Sequence, residues 1–308
     1  MYIVLAVNLE RHTTMNIKIG FIGMGIMGSR MAGNILRNQQ DREIIIFNRT
    51  QDKATSLINN GALWADSPKA LGKQVDILFT MLSNPEAVTN VALGENGFLD
   101  TLAPDTLWVD CSTVHPSFSR KMAQETGNKQ VRFLDAPVAG SKNQAENAKL
   151  VFFVGGDRAD VKTCQSLFEI MGSKFVHVGG HGMGTSMKLA INLLLGTSMA
   201  GFAEGMVLGQ ALGISQEMLF NVLLGGPVVA PFVSTKKEKL EREDYDVEFP
   251  LRWMQKDLHM VATAANEVGV AIPVTSSVKE VYRLAMQQGL GQEDFSAIYS
   301  FLKEGTGN

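Results

Sequence analysis

Short runs rich in Ile, Val and Phe recur along the first part of the chain, at Lys18–Ile22, Glu43–Phe47, Val75–Leu82, Thr106–Asp110, Val131–Leu134, Leu150–Val154 and Lys174–Val178. Several are apolar without alternation, the pattern of strands buried on both faces of a mostly parallel sheet. Helical stretches lie between them, among them Ile26–Asn38, Asp52–Asn60, Glu86–Leu93 and Ser117–Thr126. Strand–helix–strand alternation predicts a doubly wound α/β domain. After about Val178 the pattern changes. "GGHGMG" reads as a flexible turn, and a long helix is expected from roughly Gly184 to Leu212. Beyond it the signals are almost all helical: Gln216–Leu224, Ser234–Glu241, Leu251–Val268, Thr275–Gln288 and Asp294–Lys303. The expected organisation is an α/β domain over residues 15–179 and an all-α domain over 180–308, built on the long interdomain helix.

The long helix carries twenty residues, Leu189–Leu208, in which only Asn192 and Glu204 are strongly polar. Its length would allow a membrane span. The two polar residues, Gly196, Gly201 and Gly205, and the lack of a basic flank favour a helix buried on all sides inside a protein. The N-terminal segment has an apolar run of only six residues, Tyr2–Val7, and reads as a poor signal peptide. Met15 stands directly before the first strand, so residues 1–14 are expected to be a disordered extension. A net charge of −3 gives no reason to expect nucleic acid or an acidic membrane as partner. Two cysteines, Cys111 and Cys164, make no disulfide framework, which fits a reducing, cytoplasmic setting.

Chemistry enters with "IKIGFIGMGIMGSRMAGNIL". It holds Gly23-x-Gly25-x-x-Gly28 between an apolar strand and a helix, the context a dinucleotide-binding loop of the Rossmann type requires. Gly23 permits the tight turn, Gly25 the approach of a pyrophosphate, and Gly28 close packing of helix on strand. Amides around Met24, Ile26 and Met27 would face the phosphates at the helix N-terminus. NAD-specific loops place an acid at the end of the second strand. Here "EIIIF" ends in Asn48-Arg49-Thr50, with Lys53 one turn on. Arg49 offers a planar fork for a 2′-phosphate and Lys53 a point charge, so NADP(H) is the expected cofactor. Asn48 and Thr50 beside Arg49, and Met81 and Leu82, closing the Val75–Leu82 run, are also counted as cofactor-binding candidates.

A lysine stands at the head of the long apolar helix. Lys188 and Asn192 are spaced i, i+4 and share one face. If the helix crosses the mouth of the sheet, Lys188 can give a proton to a carbonyl oxygen as hydride arrives at its carbon. Partial burial would lower its pKa toward the working range. A lysine snorkelling from the helix start is an equally good reading of the spacing alone. Ser112 and Thr113 stand just past the fifth strand, where ligands sit in open α/β sheets. Gly140-Ser141, after Pro137, can present amides to a small carboxylate. Lys256-Asp257 form a second pair, of which one could reach the cofactor and the other orient Lys188 or the substrate, against the blander reading of a solvated face. His177 and His181 lie across a Gly-Gly break, so no metal site is expected. "KKEKLERED" at Lys236–Asp244 reads as a solvated face or an exposed loop.

Four motifs in this order, "GFIGMGIMG", "DAPVAGSKNQAE", "GHGMGTSMKLAIN" and "MQKDLHMV", resemble the β-hydroxyacid dehydrogenase superfamily from Met15 onward. "FNRT", "GSKNQAEN", "FAEGMVLG", "EFPLRWMQKDL" and "GLGQEDFSA" are most similar to its glyoxylate/succinic semialdehyde reductases. The resemblance implies that Lys188 is the catalytic lysine and Asn192 its supporting asparagine. It implies that Lys256 contacts the cofactor, that Asp257 and Phe249 line the substrate pocket, and that Thr113 lies at the nicotinamide and substrate. It implies a Rossmann domain followed by a helical domain, with dimers or tetramers formed through the helical domains. One departure stands out. The family's substrate turn usually reads Pro-Val-Ser-Gly, and here it reads Pro137-Val138-Ala139-Gly140. A lost hydrogen bond to a charged group would weaken substrate binding by about 1.5–3 kcal/mol, with backbone amides and Ser141 left to compensate.

The leading expectation is therefore NADPH-dependent reduction of a small aldehyde acid, glyoxylate or succinic semialdehyde, with Lys188 as general acid. A 3-hydroxyisobutyrate-type dehydrogenase working in the oxidative direction is the alternative. A cofactor-binding module without catalysis is a third, which the presence of Lys188 argues against.

Overall fold

The computed structural model describes residues 17–38 and 42–305. The proposed extension before Met15 lies outside the described residues. The apolar runs of the first part become the strands of one sheet: β1 (Ile17–Ile22), β2 (Arg42–Phe47), β3 (Leu63–Trp64), β4 (Ile77–Thr80), β5 (Leu107–Asp110), β6 (Arg132–Asp135), β7 (Val138–Ala139), β8 (Leu150–Gly155) and β9 (Gly172–Gly179). The spatial order is β3-β2-β1-β4-β5-β6-β8-β7, with β9 paired to β8. Strands β1 to β6 run parallel. β8 runs antiparallel to β6 and β7, and β9 parallel to β8.

The run of apolar residues without alternation has its reason here. Phe21, Ile44, Ile46, Phe79, Val109 and Leu134 face one layer of helices, including Gly28–Arg37 and Arg158–Met171. Ile22, Ile45, Leu78, Trp108 and Phe133 face the other layer with Val88, Ala92 and Met122. Both faces are dry along the middle of β1, β2, β4, β5 and β6, so their polar residues, among them Lys18, Arg42, Thr80, Asp110, Arg132 and Asp135, fall at the strand ends. The short strands β3 and β7 and the 14-residue helix Arg158–Met171 are elements the sequence reading did not name. That helix buries Val161, Cys164, Leu167, Phe168 and Met171, a regular helical stripe.

The order of β1 and β4 makes a topological switch point, because the chain leaves β1 toward β2 on one side and returns to β4 on the other. Ligands of such sheets bind beyond the strand ends at this crevice. A Cβ on Gly23 would sit 2.3 Å from the Met81 carbonyl, so the loop after β1 and the end of β4 are in backbone contact there.

The long helix runs Met183–Ala211 and buries Thr185, Lys188, Leu189, Asn192, Gly196, Met199, Ala203 and Met206, a stripe at helical spacing. The helix Leu251–Glu267 packs on it, with Met254 and Leu258 filling the notch left at Gly196. By length and composition the long helix could cross a membrane, yet this stripe lies in the protein core. The expectation of burial on all sides is corrected. Met187, Leu194 and Leu208 are exposed along its outer face, Leu194 by 63%.

The turn before it is also corrected. "GGHGMG" is clamped rather than flexible. Asp135, at the end of β6, accepts from Gly182 N (2.7 Å), Thr185 N (2.8 Å) and Thr185 Oγ1 (3.1 Å). A Cβ on Gly184 would lie 2.3 Å from the Phe153 carbonyl, so the helix start meets the sheet backbone to backbone. Burial pushes the Asp135 carboxyl up, against the pull of those three donors.

Candidate active site

The glycine loop follows β1 with Gly23 at φ +107°, in the left-handed region. Gly28 opens the helix so close to the loop that a Cβ would meet the Gly23 carbonyl at 1.9 Å. Gly25 differs. A Cβ there would find no heavy atom within 4 Å. The Met24 amide donates to Asn48 Oδ1 at 3.0 Å, and Asn48 Nδ2 donates to the Thr50 carbonyl at 2.8 Å. Asn48, expected as a cofactor contact, spends both side-chain groups bracing the loop. The amides of Gly25, Ile26 and Met27 have no acceptor among the described residues. Open space over Gly25 with unpaired amides at a helix start fits a pyrophosphate. Arg49, Thr50 and Lys53 are exposed on the far side of Asn48, beyond the end of β2. Met81 and Leu82 line the switch point, and the Leu82 amide donates to Ser112 Oγ at 2.9 Å. Ser112, expected where ligands sit past the fifth strand, is only 1% exposed and accepts this contact instead.

Lys188 points from the second turn of the long helix and is 9% exposed. It makes no hydrogen bond or ion pair among the described residues. Burial pulls its ammonium down from 10.5 to about 8, Asp257 opposes that, and Lys256 adds to it. Asn192, one turn on, is fully buried and donates Nδ2 to Asp257 Oδ2 at 2.6 Å. The carboxylate fixes the orientation of the amide, because only the nitrogen can donate to it. The Asn192 Oδ1 atom is left buried without a partner. Asn192 thus does not grip the Lys188 amine directly but holds an acceptor ready beside it.

Lys256 and Asp257 come from the helix Leu251–Glu267. Lys256 Nζ donates to the carbonyls of Ser83 (2.7 Å) and Thr113 (3.2 Å), tying the helical domain to the ends of β4 and β5. It also lies 3.0 Å from Asp257 Oδ1, in ion contact without hydrogen-bond alignment. These contacts join Thr113, Lys256, Asp257 and Asn192 into one chain ending a turn from Lys188. The pair does not form a solvated face.

The turn expected to meet the substrate follows β7. Ala139 pairs with Val151, and Gly140 takes φ +122°. The Ser141 amide and hydroxyl both donate to Gln144 Oε1, at 3.0 and 2.7 Å. The expectation of a free Ser141 amide for a carboxylate is corrected, because Gln144 takes it. Ser141 Oγ also reaches Glu248 Oε2 at 3.3 Å, beside Phe249. Phe249 is fixed by its amide on Asp294 Oδ2 (3.1 Å) and by its ring against Phe295. Asp294 is a buried hub absent from the sequence reading, signalled only by the "GLGQEDFSA" motif. Lys236 is a further correction. It is 4% exposed and ion-paired with Asp294 and Glu248, not solvated. His177 and His181 spend their Nε2 atoms on the carbonyls of Gly156 and Phe133.

Comparison with known proteins bears on this geometry. Residues 18–179 match the model of the NAD binding domain of 6-phosphogluconate dehydrogenase. Residues 182–302 match that of the NAD-binding domain of NADP-dependent 3-hydroxyisobutyrate dehydrogenase. The chain belongs to the β-hydroxyacid dehydrogenase family. It is an oxidoreductase with a nicotinamide cofactor. It is 36% identical over 287 residues to glyoxylate/succinic semialdehyde reductase 2 of Arabidopsis thaliana, covering 93% of this chain and 80% of that protein. It is 32% identical over 282 residues to the human cytokine-like nuclear factor N-PAC, covering 92% of this chain and 51% of that protein. Among solved structures, the 3-hydroxyisobutyrate dehydrogenase of Mycobacterium tuberculosis with L-serine is similar at TM-score 0.84 and 28% identity, covering 94% and 100% of the two chains.

Proposed function

We propose that this β-hydroxyacid dehydrogenase is an NADPH-dependent reductase of a small aldehyde acid, glyoxylate or succinic semialdehyde, with Lys188 as the general acid. One observation carries the reading. A buried lysine without an ion pair, lowered to about 8, heads the interdomain helix next to an unpartnered Asn192 Oδ1. A buried ammonium with no structural partner is costly, and such costly groups cluster at functional sites. The reduced nicotinamide supplies the hydride when bound.

Lys188 Nζ then holds a proton for the oxygen of the aldehyde, and Asn192 Oδ1 accepts from that ammonium or from the product hydroxyl. Asp257 keeps Asn192 oriented and raises the Lys188 proton affinity against burial. Lys256 closes the helical domain over the ends of β4 and β5. The Ala139–Ser141 turn and Phe249 wall the substrate. Gly25, Ile26 and Met27 would hold the pyrophosphate, and Arg49 with Lys53 a 2′-phosphate. The exposed apolar stripe Met187, Leu194 and Leu208 supports association of two helical domains into a homodimer or larger oligomer.

The test follows NADPH or NADH consumption with succinic semialdehyde and then glyoxylate. Rapid loss of NADPH with either, abolished in Lys188→Ala with the fold intact, is the expected result. Turnover unchanged in that variant refutes the role of Lys188. A clear preference for NAD and a branched hydroxy acid would favour 3-hydroxyisobutyrate-type oxidation, the activity named for the Mycobacterium tuberculosis structure.

A further inference from the structure

The Ser141 hydroxyl has one hydrogen and two acceptors. Gln144 Oε1 is nearer at 2.7 Å, and Glu248 Oε2 lies at 3.3 Å. The contact to Glu248 is therefore the weaker share of a divided donor. It joins the substrate turn of the Rossmann domain to the segment of the helical domain that carries Phe249. A carboxylate thus already stands at the turn where an acid substrate would place its own.

On its other side the same carboxylate has cations. Lys236 Nζ is 3.2 Å from Glu248 Oε2, and Lys239 Nζ is 4.0 Å from Glu248 Oε1. Lys236 is anchored by Asp294, which also accepts from the amides of Glu248 (3.2 Å) and Phe249 (3.1 Å). The backbone of this segment is thereby fixed, while the Glu248 side chain, 21% exposed, can leave Ser141 and stay paired.

We propose that Glu248 is a specificity-determining residue whose carboxylate competes with the carboxylate of an acid substrate at the Ala139–Gly140–Ser141 turn. This rests on the proposed function in one respect, that the substrate is an aldehyde acid seated at that turn. An acid substrate must displace Glu248 from Ser141 toward Lys236, and a neutral aldehyde need not. The pocket is tuned against tight binding of anions, and Glu248 sets how strongly.

The experiment compares succinic semialdehyde with butanal, an uncharged aldehyde of equal chain length, in the full-length enzyme with NADPH. Glu248→Gln removes the charge at nearly constant size. The ratio of kcat/KM for the acid to that for butanal should rise roughly threefold to tenfold, the scale of a partly buried like-charge contact. Glu248→Asp keeps a partner for Lys236 but is one methylene too short for Ser141, and should raise the ratio to a lesser degree with an unchanged melting temperature. An unchanged or lowered ratio in Glu248→Gln overturns the proposal. If that variant melts early, an unchanged ratio in Glu248→Asp overturns it. Titration of the NADPH complexes with butyrate separates this from the reading beneath it. No turnover of either aldehyde by the native enzyme refutes the proposed function alone. Tighter butyrate binding by Glu248→Gln would still support the competition, and equal binding would end it.

Discussion

Replacing Lys188 by methionine should destroy turnover and stabilise the protein. Lys188 is 9% exposed, and burial lowers its ammonium from 10.5 to about 8. Each tenfold change in proton affinity is worth about 1.4 kcal/mol, so holding the charge in the fold costs on the order of 3 kcal/mol at neutral pH. The sign follows from proton counting. Between pH 8 and 10.5 the unfolded chain keeps the proton that the folded chain has released. Stability contributed by this group therefore rises with pH across that window and is flat below it. Methionine fills the same space without the charge, and should gain roughly 1–3 kcal/mol in urea or thermal unfolding at pH 7. The gain should shrink as pH climbs from 8 to 10.5. Turnover should fall by roughly 100- to 10,000-fold, the range for loss of a general acid. A methionine variant less stable than the native chain at pH 7 would refute the reasoning. It would mean that attraction to Asp257 outweighs burial, and that Lys188 is a structural cation.

Glycine variants separate packing from binding. Gly28→Ala should fail to fold or lose cofactor binding entirely, since its Cβ would strike the Gly23 carbonyl at 1.9 Å. Gly25→Ala should melt like the native protein yet bind NADPH more weakly in a fluorescence titration, because nothing in the protein fills that space. Arg49→Ala should raise the Kd for NADPH about tenfold or more with little change for NADH, measured the same way. Equal losses for both cofactors would place Arg49 outside a 2′-phosphate site. Asp135→Ala should lower stability by about 2 kcal/mol or more and lower kcat with the KM for NADPH nearly unchanged, because both acceptors for the Gly182 and Thr185 amides are lost.

The sheet and the long helix were legible because their signals are local. Unbroken apolar runs mean strands covered on both sides, and Gly23-x-Gly25-x-x-Gly28 needs only its neighbours to be read. The short strands at Leu63–Trp64 and Val138–Ala139 exist through their partners and have no periodicity of their own. The helix Arg158–Met171 did carry a readable stripe and went unnamed. What no local pattern could reveal is who meets whom across the cleft. Lys236 sits in a run of charges and still ends up buried, because Asp294, 58 residues away, reaches it. Asp135 looks like one more strand-end residue until Gly182 and Thr185 fold onto it. Ser141 looks free until Gln144 takes its amide.

These long-range contacts divide the work at Lys188 between the two domains. Its place is set by the Rossmann domain, because Asp135 and the backbone seam at Gly184 fasten the helix start to the sheet. Burial lowers its proton affinity most, and the helical domain adjusts that affinity, because Asp257 and Lys256 supply opposing charges. A small rotation between the domains would leave the lysine where it is and change how readily it gives up its proton. The tie from Lys256 to the Ser83 and Thr113 carbonyls resists that rotation. Loss of that tie should therefore show first in the pH dependence of turnover.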